Sequence, residues 1–220
     1  SLAYAYRDTE RLAEAIDLYE RALADSARDL GPDHPRTLAV RDALAGVYRE
    51  TGELDRAIPL YERSLADRLR ILGADNLDTL RSRNNLAYVY QTAGRLDQAI
   101  DLFTQNLAEH ERLLGPDHAL TLSALRNLAN ACQEAGRIDE ATSLFERVLT
   151  DSIRILGPDD PGTFISRNNL AGAYQGSGRI NKAIPLFQQN LTDSARALGP
   201  DHHDTVVFRN NLANAYAIAG

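Results

Sequence analysis

The sequence predicts an all-α fold, an α-solenoid of stacked antiparallel helix pairs, and three observations predict it. The chain repeats itself every 42 residues, each period holds two stretches of helical apolar spacing, and glycines recur where the first of those stretches ends. Leu30-Gly31-Pro32-Asp33-His34 returns as Leu72-Gly73-Ala74-Asp75-Asn76 and Leu114-Gly115-Pro116-Asp117-His118. It returns again as Leu156-Gly157-Pro158-Asp159-Asp160 and Leu198-Gly199-Pro200-Asp201-His202. A period of this length is one supersecondary unit that buries its apolar face against copies of itself.

Taken in chain order, residues 1–10 read as a partial first-type helix. Glu10 stands where later copies carry glycine, so that turn is expected to be less regular. The later first-type helices are exemplified by Thr79 to Gly94, with Leu86, Ala87 and Tyr90 on one face. Gly52, Gly94, Gly136, Gly178 and Gly220 end them, because a helix stop favours a left-handed residue. A longer second helix follows, for example Arg95 to Leu114. Its buried stripe is Ile100, Phe103, Leu107 and Leu114, and Ala99 allows close approach of a neighbour. Pro59 and Pro185 are placed near the first turn of such helices, where few N–H groups have partners to lose. The count is one partial first helix, then five second helices alternating with five first helices. The domain is a single array over 1–220: 1–35 a partial repeat, then 36–77, 78–119, 120–161 and 162–203 complete, and 204–220 the first helix of a further repeat.

Composition narrows the function classes. Hydrophobic residues at 44% and charged residues at 25% are ordinary for a folded protein. No stretch reaches the ~20 apolar residues that span a bilayer, and there is neither a signal peptide nor an initiating Met, so a longer parent protein is expected. A net charge of -7 argues against nucleic acid or an anionic membrane as partner. The single Cys132 cannot form an internal disulfide, in keeping with a cytoplasmic location. Lys182 is the sole lysine beside a wealth of arginine, a composition that fits a GC-rich genome.

Asp33, Asp75, Asp117, Asp159 and Asp201 each follow a glycine-led break and precede a helix, so they are expected to cap it. His34, His118 and His202 share one repeat position, which spaces them along a ridge, and His202-His203 lacks a nearby third ligand. No metal site is expected.

Within each unit the pattern resembles the tetratricopeptide signature of small and large residues. It is carried by Asn85-Leu86-Ala87, Tyr90, Gly94, Leu96, Ala99, Phe103 and Leu107. Tyr48, Gly52, Ala57, Tyr61 and Leu65 repeat it, as do Tyr174, Gly178, Ala183, Phe187 and Leu191. The usual unit is 34 residues; the 42-residue form is similar to the repeats of kinesin light chains and to arrays attached to NB-ARC-type signalling ATPases of actinobacteria. The resemblance implies a right-handed superhelix whose first helices line a concave groove. One departure is Arg83, three residues before Leu86, where the family usually places an apolar side chain. Arg41, Arg167 and Arg209 recur there, with Leu125 the exception, and are read as bridges between helices to Asp or Glu.

Family geometry also assigns the groove positions: Asn84 and Tyr88, Arg126 and Asn130, Asn168 with Gly172, and Asn210 and Asn214, with Asp42 and Gly46 in the earliest copy. One turn further lie Arg49, Gln91, Gln133 and Gln175. Carboxamides offer a donor and an acceptor each, which suits the backbone of a bound peptide. Arg126 with Asn130 resembles the pairing by which some family members hold a carboxylate, with Arg81 as a further contributor. Gly46 and Gly172 leave room for a bulky ligand side chain. Asn85, Asn127, Asn169 and Asn211 are expected to link helices.

The function implied is a protein-interaction module that binds an extended or helical peptide, without a cofactor. The alternative is self-association or scaffolding through the ends, where Leu2, Tyr6, Leu212 and Tyr216 leave apolar surface. A catalytic role is not expected. There is no phosphate-binding loop and no nucleophile elbow, and Cys132 replaces a core tyrosine as buried filler.

Overall fold

The computed structural model describes residues 2–220, with side chains from Arg11 onward, so Leu2 and Tyr6 lie outside the described side chains. The described residues form ten α-helices and no strand. They are α1 (Leu2–Asp29), α2 (Pro35–Glu50), α3 (Leu54–Leu72), α4 (Leu77–Thr92), α5 (Leu96–Leu114), α6 (Ala119–Glu134), α7 (Ile138–Leu156), α8 (Pro161–Gly176), α9 (Ile180–Ala197) and α10 (His203–Ala219). Two compact units divide the chain, residues 1–109 and 110–220, the boundary falling within α5. In each, consecutive helices turn back on one another and pack.

The expected break at Glu10 is absent: α1 runs unbroken through it. The reason is local. Gly52, Gly94, Gly136 and Gly178 sit at φ 72–79°, the left-handed region, and glutamate pays a steric penalty there that glycine does not. After each of these glycines the next N–H reaches back to the carbonyl five residues earlier, Glu53 to Tyr48 and Arg95 to Tyr90, both at 2.8 Å. That is a Schellman closure, and it turns the chain into the second helix.

The other turn is capped one residue later than expected. His34, Asn76, His118, Asp160 and His202 are the N-caps, each accepting the N–H two residues on, at 3.1, 2.9, 3.1, 2.7 and 3.2 Å. The aspartates before them have another task. Asp33 pairs with Arg70 of the following long helix at 2.5 Å, Asp159 pairs with Arg196 at 2.5 Å, and Asp117 pairs with Arg154. The extended backbone of each cap residue aims its side chain at the helix and the preceding aspartate away from it.

The core is the predicted stripe. Ala57, Ile58, Tyr61 and Leu65 of α3 are buried, and Ala99, Ile100, Phe103 and Leu107 of α5 repeat the set. Leu114 departs from it: it is half-buried, and Leu72 and Leu156 at the same position are exposed. Pro59 and Pro185 are the sixth residues of α3 and α9, beyond the first turn. Both are exposed, so the carbonyls they leave unpaired, at Asp55 and Asn181, face water and the helices continue.

Buried arginines brace the stack. Arg41 of α2 pairs with Asp67 of α3 at 2.6 Å, while Arg68 of α3 pairs with Asp42 of α2 at 2.7 Å and donates to Ser82 of α4 at 2.6 Å. Arg167 reaches Asp193 at 3.0 Å. The bridge role therefore holds at Arg41 and Arg167. Arg83 is buried, with burial pulling its guanidinium below the usual arginine range and Glu109 opposing that. Arg209 is exposed and donates to the Pro200 carbonyl. Where Leu125 replaces the arginine, Asp151 keeps the pair within its own helix, with Arg154 at 2.7 Å, that Asp67 also makes with Arg70 at 3.3 Å.

Candidate binding site

The site grows from a run of the α8 sequence. Asn168, Gly172 and Gln175 are spaced four and three apart, so one face of α8 carries all three. Beside it α10 presents Asn211 and Asn214, and α9 supplies Phe187 below. These six residues line a pocket of about 140 Å³ in the second unit, and no charged side chain is among them. Asn211 Nδ2 donates to Asn168 Oδ1 at 2.8 Å, which ties α10 to α8 and orients the Asn168 carboxamide. Asn211 thus links helices as expected, and it also lines the pocket. Asn210, expected in the groove, is exposed and outside that lining.

The remaining expected positions are dispersed. Arg81 is exposed and pairs with Asp78 of its own helix at 2.9 Å. Asn84 and Gln91 are half-buried on α4. Tyr88 lays its ring edge-on against Phe103, centroids 5.3 Å apart at 81°. On α6, Arg126 is half-buried while Asn130 and Gln133 are exposed. Asp42, read as groove-facing, is consumed by Arg68. A Cβ on Gly46 would meet the Tyr61 hydroxyl at 3.6 Å, whereas one on Gly172 would meet nothing within 4 Å.

A second polar pattern escaped the sequence reading. Tyr48, Tyr90 and Tyr174 donate to Glu20, Glu62 and Glu146, each 28 residues earlier, at 2.5, 2.7 and 2.5 Å. Tyr216 accepts from Gln188 at 2.6 Å. Burial and the neighbouring glutamates push Tyr48 and Tyr90 up to about 12. Arg56 lies 4.2 Å over the Tyr48 ring and Lys182 5.2 Å over that of Tyr174. The signal was in the sequence: in the copy where the tyrosine becomes Cys132, the glutamate position becomes Thr104.

Cys132 is fully buried, and burial with Glu140 pushes its thiol up to about 11, which keeps it protonated and weakly nucleophilic. No group of three or more His, Cys, Asp or Glu side chains gathers among the described residues, and none of their helices is long and apolar enough to cross a membrane.

Comparison with known proteins agrees with this architecture. The tetratricopeptide repeat family model matches residues 1–70, 44–108, 78–152, 132–192 and 162–220. Among solved structures, the chain is similar to the nearly identical TPR-like repeats assigned to a kinesin light chain of Podosopora anserina. The identity is 31% over 89% of this chain and 92% of that one, with TM-score 0.79. BtubC (BKLC) of P. vanneervenii shares the fold at 20% identity over 95% of this chain and 84% of that one, TM-score 0.77. MamA of MSR-1 shares it at 24% identity over 87% and 92%, TM-score 0.57. No curated protein sequence matches the chain. The ten-helix α-solenoid, the 42-residue period and the family match end to end make one conclusion: this chain belongs to the tetratricopeptide repeat family, in its kinesin light chain-like form.

Proposed function

We propose that the chain is a protein-interaction module that holds an extended or helical peptide segment of a partner on the carboxamide-rich face of its first-type helices. The convergence of Asn168, Gln175, Asn211 and Asn214 around Phe187 carries this reading. Four carboxamides supply donors and acceptors in pairs, matching a peptide backbone, and an aromatic floor supplies apolar area. Each wet contact is worth about 0.5–1.5 kcal/mol, so affinity has to accumulate over several contacts, with Arg126 and Asn130 of the same unit extending the face. A cytoplasmic setting and attachment to an NB-ARC-type ATPase are the context expected with this role. The test is selection from a random peptide library on the parent and on an Asn168→Ala, Gln175→Ala, Asn214→Ala variant. A motif enriched on the parent and lost on the variant supports the module; equal enrichment on both refutes the site.

One observation favours a second reading, association with another copy. Val206, Val207, Tyr216 and Ile218 of α10 are exposed, and Ile16, Tyr19 and Leu23 of α1 are half-buried. Those three α1 residues correspond by the period to Ile58, Tyr61 and Leu65, which α3 buries, so one copy offers α10 of another the stripe it packs on. Sedimentation equilibrium across a concentration series tests it, with Ile218→Glu expected to abolish any dimer.

A further inference from the structure

α10 keeps the residue pattern of a first-type helix but lacks part of its cover. α2 packs on both α1 and α3, and α8 on both α7 and α9. α10 packs on α9, and its core positions show what is missing on the other flank. Val206 is 37% exposed, whereas Leu38, Leu80, Leu122 and Phe164 at the same repeat position are at most 5% exposed. Tyr216 is 48% exposed, against at most 8% for Tyr48, Tyr90 and Tyr174.

Two ion pairs recur between a first-type helix, or the turn that opens it, and the longer helix that follows. Arg41 reaches Asp67 and Arg167 reaches Asp193, 26 residues on in each case. Asp33 and Asp159 reach Arg70 and Arg196, 37 residues on, as Asp117 reaches Arg154. At α10 the first half of each pair stands without the second: Arg209 is exposed and donates to the Pro200 carbonyl, and Asp201 is exposed. The absent halves stand on α1. Counted in repeat register, the position 26 residues beyond Arg209 is that of Asp25, and the position 37 beyond Asp201 is that of Arg28. Both are exposed, and they pair with each other within α1 at 2.8 Å. Asp67 and Asp193 make that same-helix pair as well as the cross-helix one, so Asp25 has room for a second arginine. The same count carries Asn210 to Ser26, the residue types that stand at Asn168 and Ser194 in α8 and α9. Ser26 is half-buried where Arg68, Ser152 and Ser194 are buried.

We infer that α10 of one copy seats on α1 of a second copy in the register of α2 on α3, with Arg209 paired to Asp25 of the second copy and Asp201 to its Arg28. The contact is heterologous, since the two surfaces that meet are different ones. The apolar stripes supply the affinity and the charges fix the register. A seat one helical turn along in either direction would set Arg209 beside Arg21 or Arg28, like against like. This rests on the second reading above, association with another copy, and adds to it the register and the residues that set it.

The test is a charge exchange between copies of the whole chain, read by sedimentation equilibrium over a concentration series. Arg209→Asp sets two aspartates face to face in the joint, and Asp25→Arg sets two arginines. Each variant alone is expected to associate at least about tenfold more weakly than the parent. An equimolar mixture restores opposite charges in every joint between unlike copies and is expected to return to within about threefold of the parent. Asp201→Arg with Arg28→Asp is expected to behave in the same way. All four positions are exposed, and circular dichroism checks that the variants keep the parent's helix content. A parent that stays monomeric at the highest concentration overturns both the inference and the association reading. A parent that associates while the charge variants match it, or a mixture no stronger than its components, overturns the register and leaves association through another surface standing.

Discussion

Adjacent residues of α2 and α3 exchange charges in a crossed pair, Arg41 with Asp67 and Asp42 with Arg68, and this predicts a strong non-additivity. Arg68 is only 4% exposed, and its two guanidinium nitrogens meet the two Asp42 oxygens at 3.2 and 2.7 Å, a bidentate grip. Removing one partner of a buried pair costs about 3–5 kcal/mol, because a charge is left without its counter-ion. The Asp42 side chain keeps 16% exposure, which admits some water, so Asp42→Asn is placed at the low end, about 3 kcal/mol. Arg68→Ser leaves the more exposed partner alone and gives up the packed arginine stem, about 2 kcal/mol. The double variant recreates what the chain uses elsewhere, Asn168 in α8 and Ser194 in α9. It sheds both charges together and is expected to cost only the packing, about 2 kcal/mol, for a coupling of about 3 kcal/mol. Urea unfolding followed by circular dichroism on the four proteins closes the cycle. Single effects that sum to the double within about 0.5 kcal/mol would refute the view that burial makes this pair interdependent.

Gly94→Ala, forced to φ 72°, is expected to lose more than about 1 kcal/mol in the same assay, whereas Gly172→Ala is expected to gain about 0.5–1 kcal/mol. His118→Ala removes the acceptor for the Leu120 N–H and is expected to cost about 1 kcal/mol, with His118→Asp restoring it as Asp160 does. Stability should fall at both pH extremes. Tyr48 hydrogen-bonds Glu20 and Arg70 hydrogen-bonds Asp33, holding both carboxyls below their ordinary 4.5 and 3.8. Their contribution is full above those values and lost as pH falls through the lowered ones. Tyr48 and Tyr90 are raised from 10.0 to about 12, so theirs is full below pH 10 and lost as pH climbs through 12. Thermal melts from pH 2 to 12 check both limbs. Cys132 should react with a thiol reagent at pH 8 only as the chain unfolds; a native rate matching free cysteine would contradict its burial.

The fold was legible because two of its determinants are single-residue properties. A left-handed stop needs glycine, so Gly52, Gly94, Gly136 and Gly178 announce the ends of α2, α4, α6 and α8, and the apolar stripes announce which face each helix buries. What stayed hidden depends on where atoms point. Asp33 and His34 are both able to cap, and only the backbone decides between them. The clue lay in the neighbouring column, where histidine, asparagine and aspartate alternate, all of them acceptors. Asp33 with Arg70 and Tyr90 with Glu62 are separated by 37 and 28 residues, so they emerge only when the helices are stacked. At the candidate site, Asn168, Gly172 and Gln175 followed from helical spacing on one element. The choice of Asn211 over Asn210 as their neighbour needed the relative rotation of α8 and α10, which a sequence carries only in its packing.

The braces between helices are unequal from copy to copy, and that inequality guards against slippage. An array of interchangeable units can fold with a helix seated one whole period out of place, since the apolar surfaces match nearly as well there. For α3, such a slip sets Arg68 opposite Asn84 in place of Asp42 and Ala124 in place of Ser82. The guanidinium would be entombed with neither carboxylate nor hydroxyl, a penalty that the correct neighbours alone avoid. Copy-specific polar residues in an otherwise repetitive interior thus act as an address, telling each helix which of several similar partners is its own.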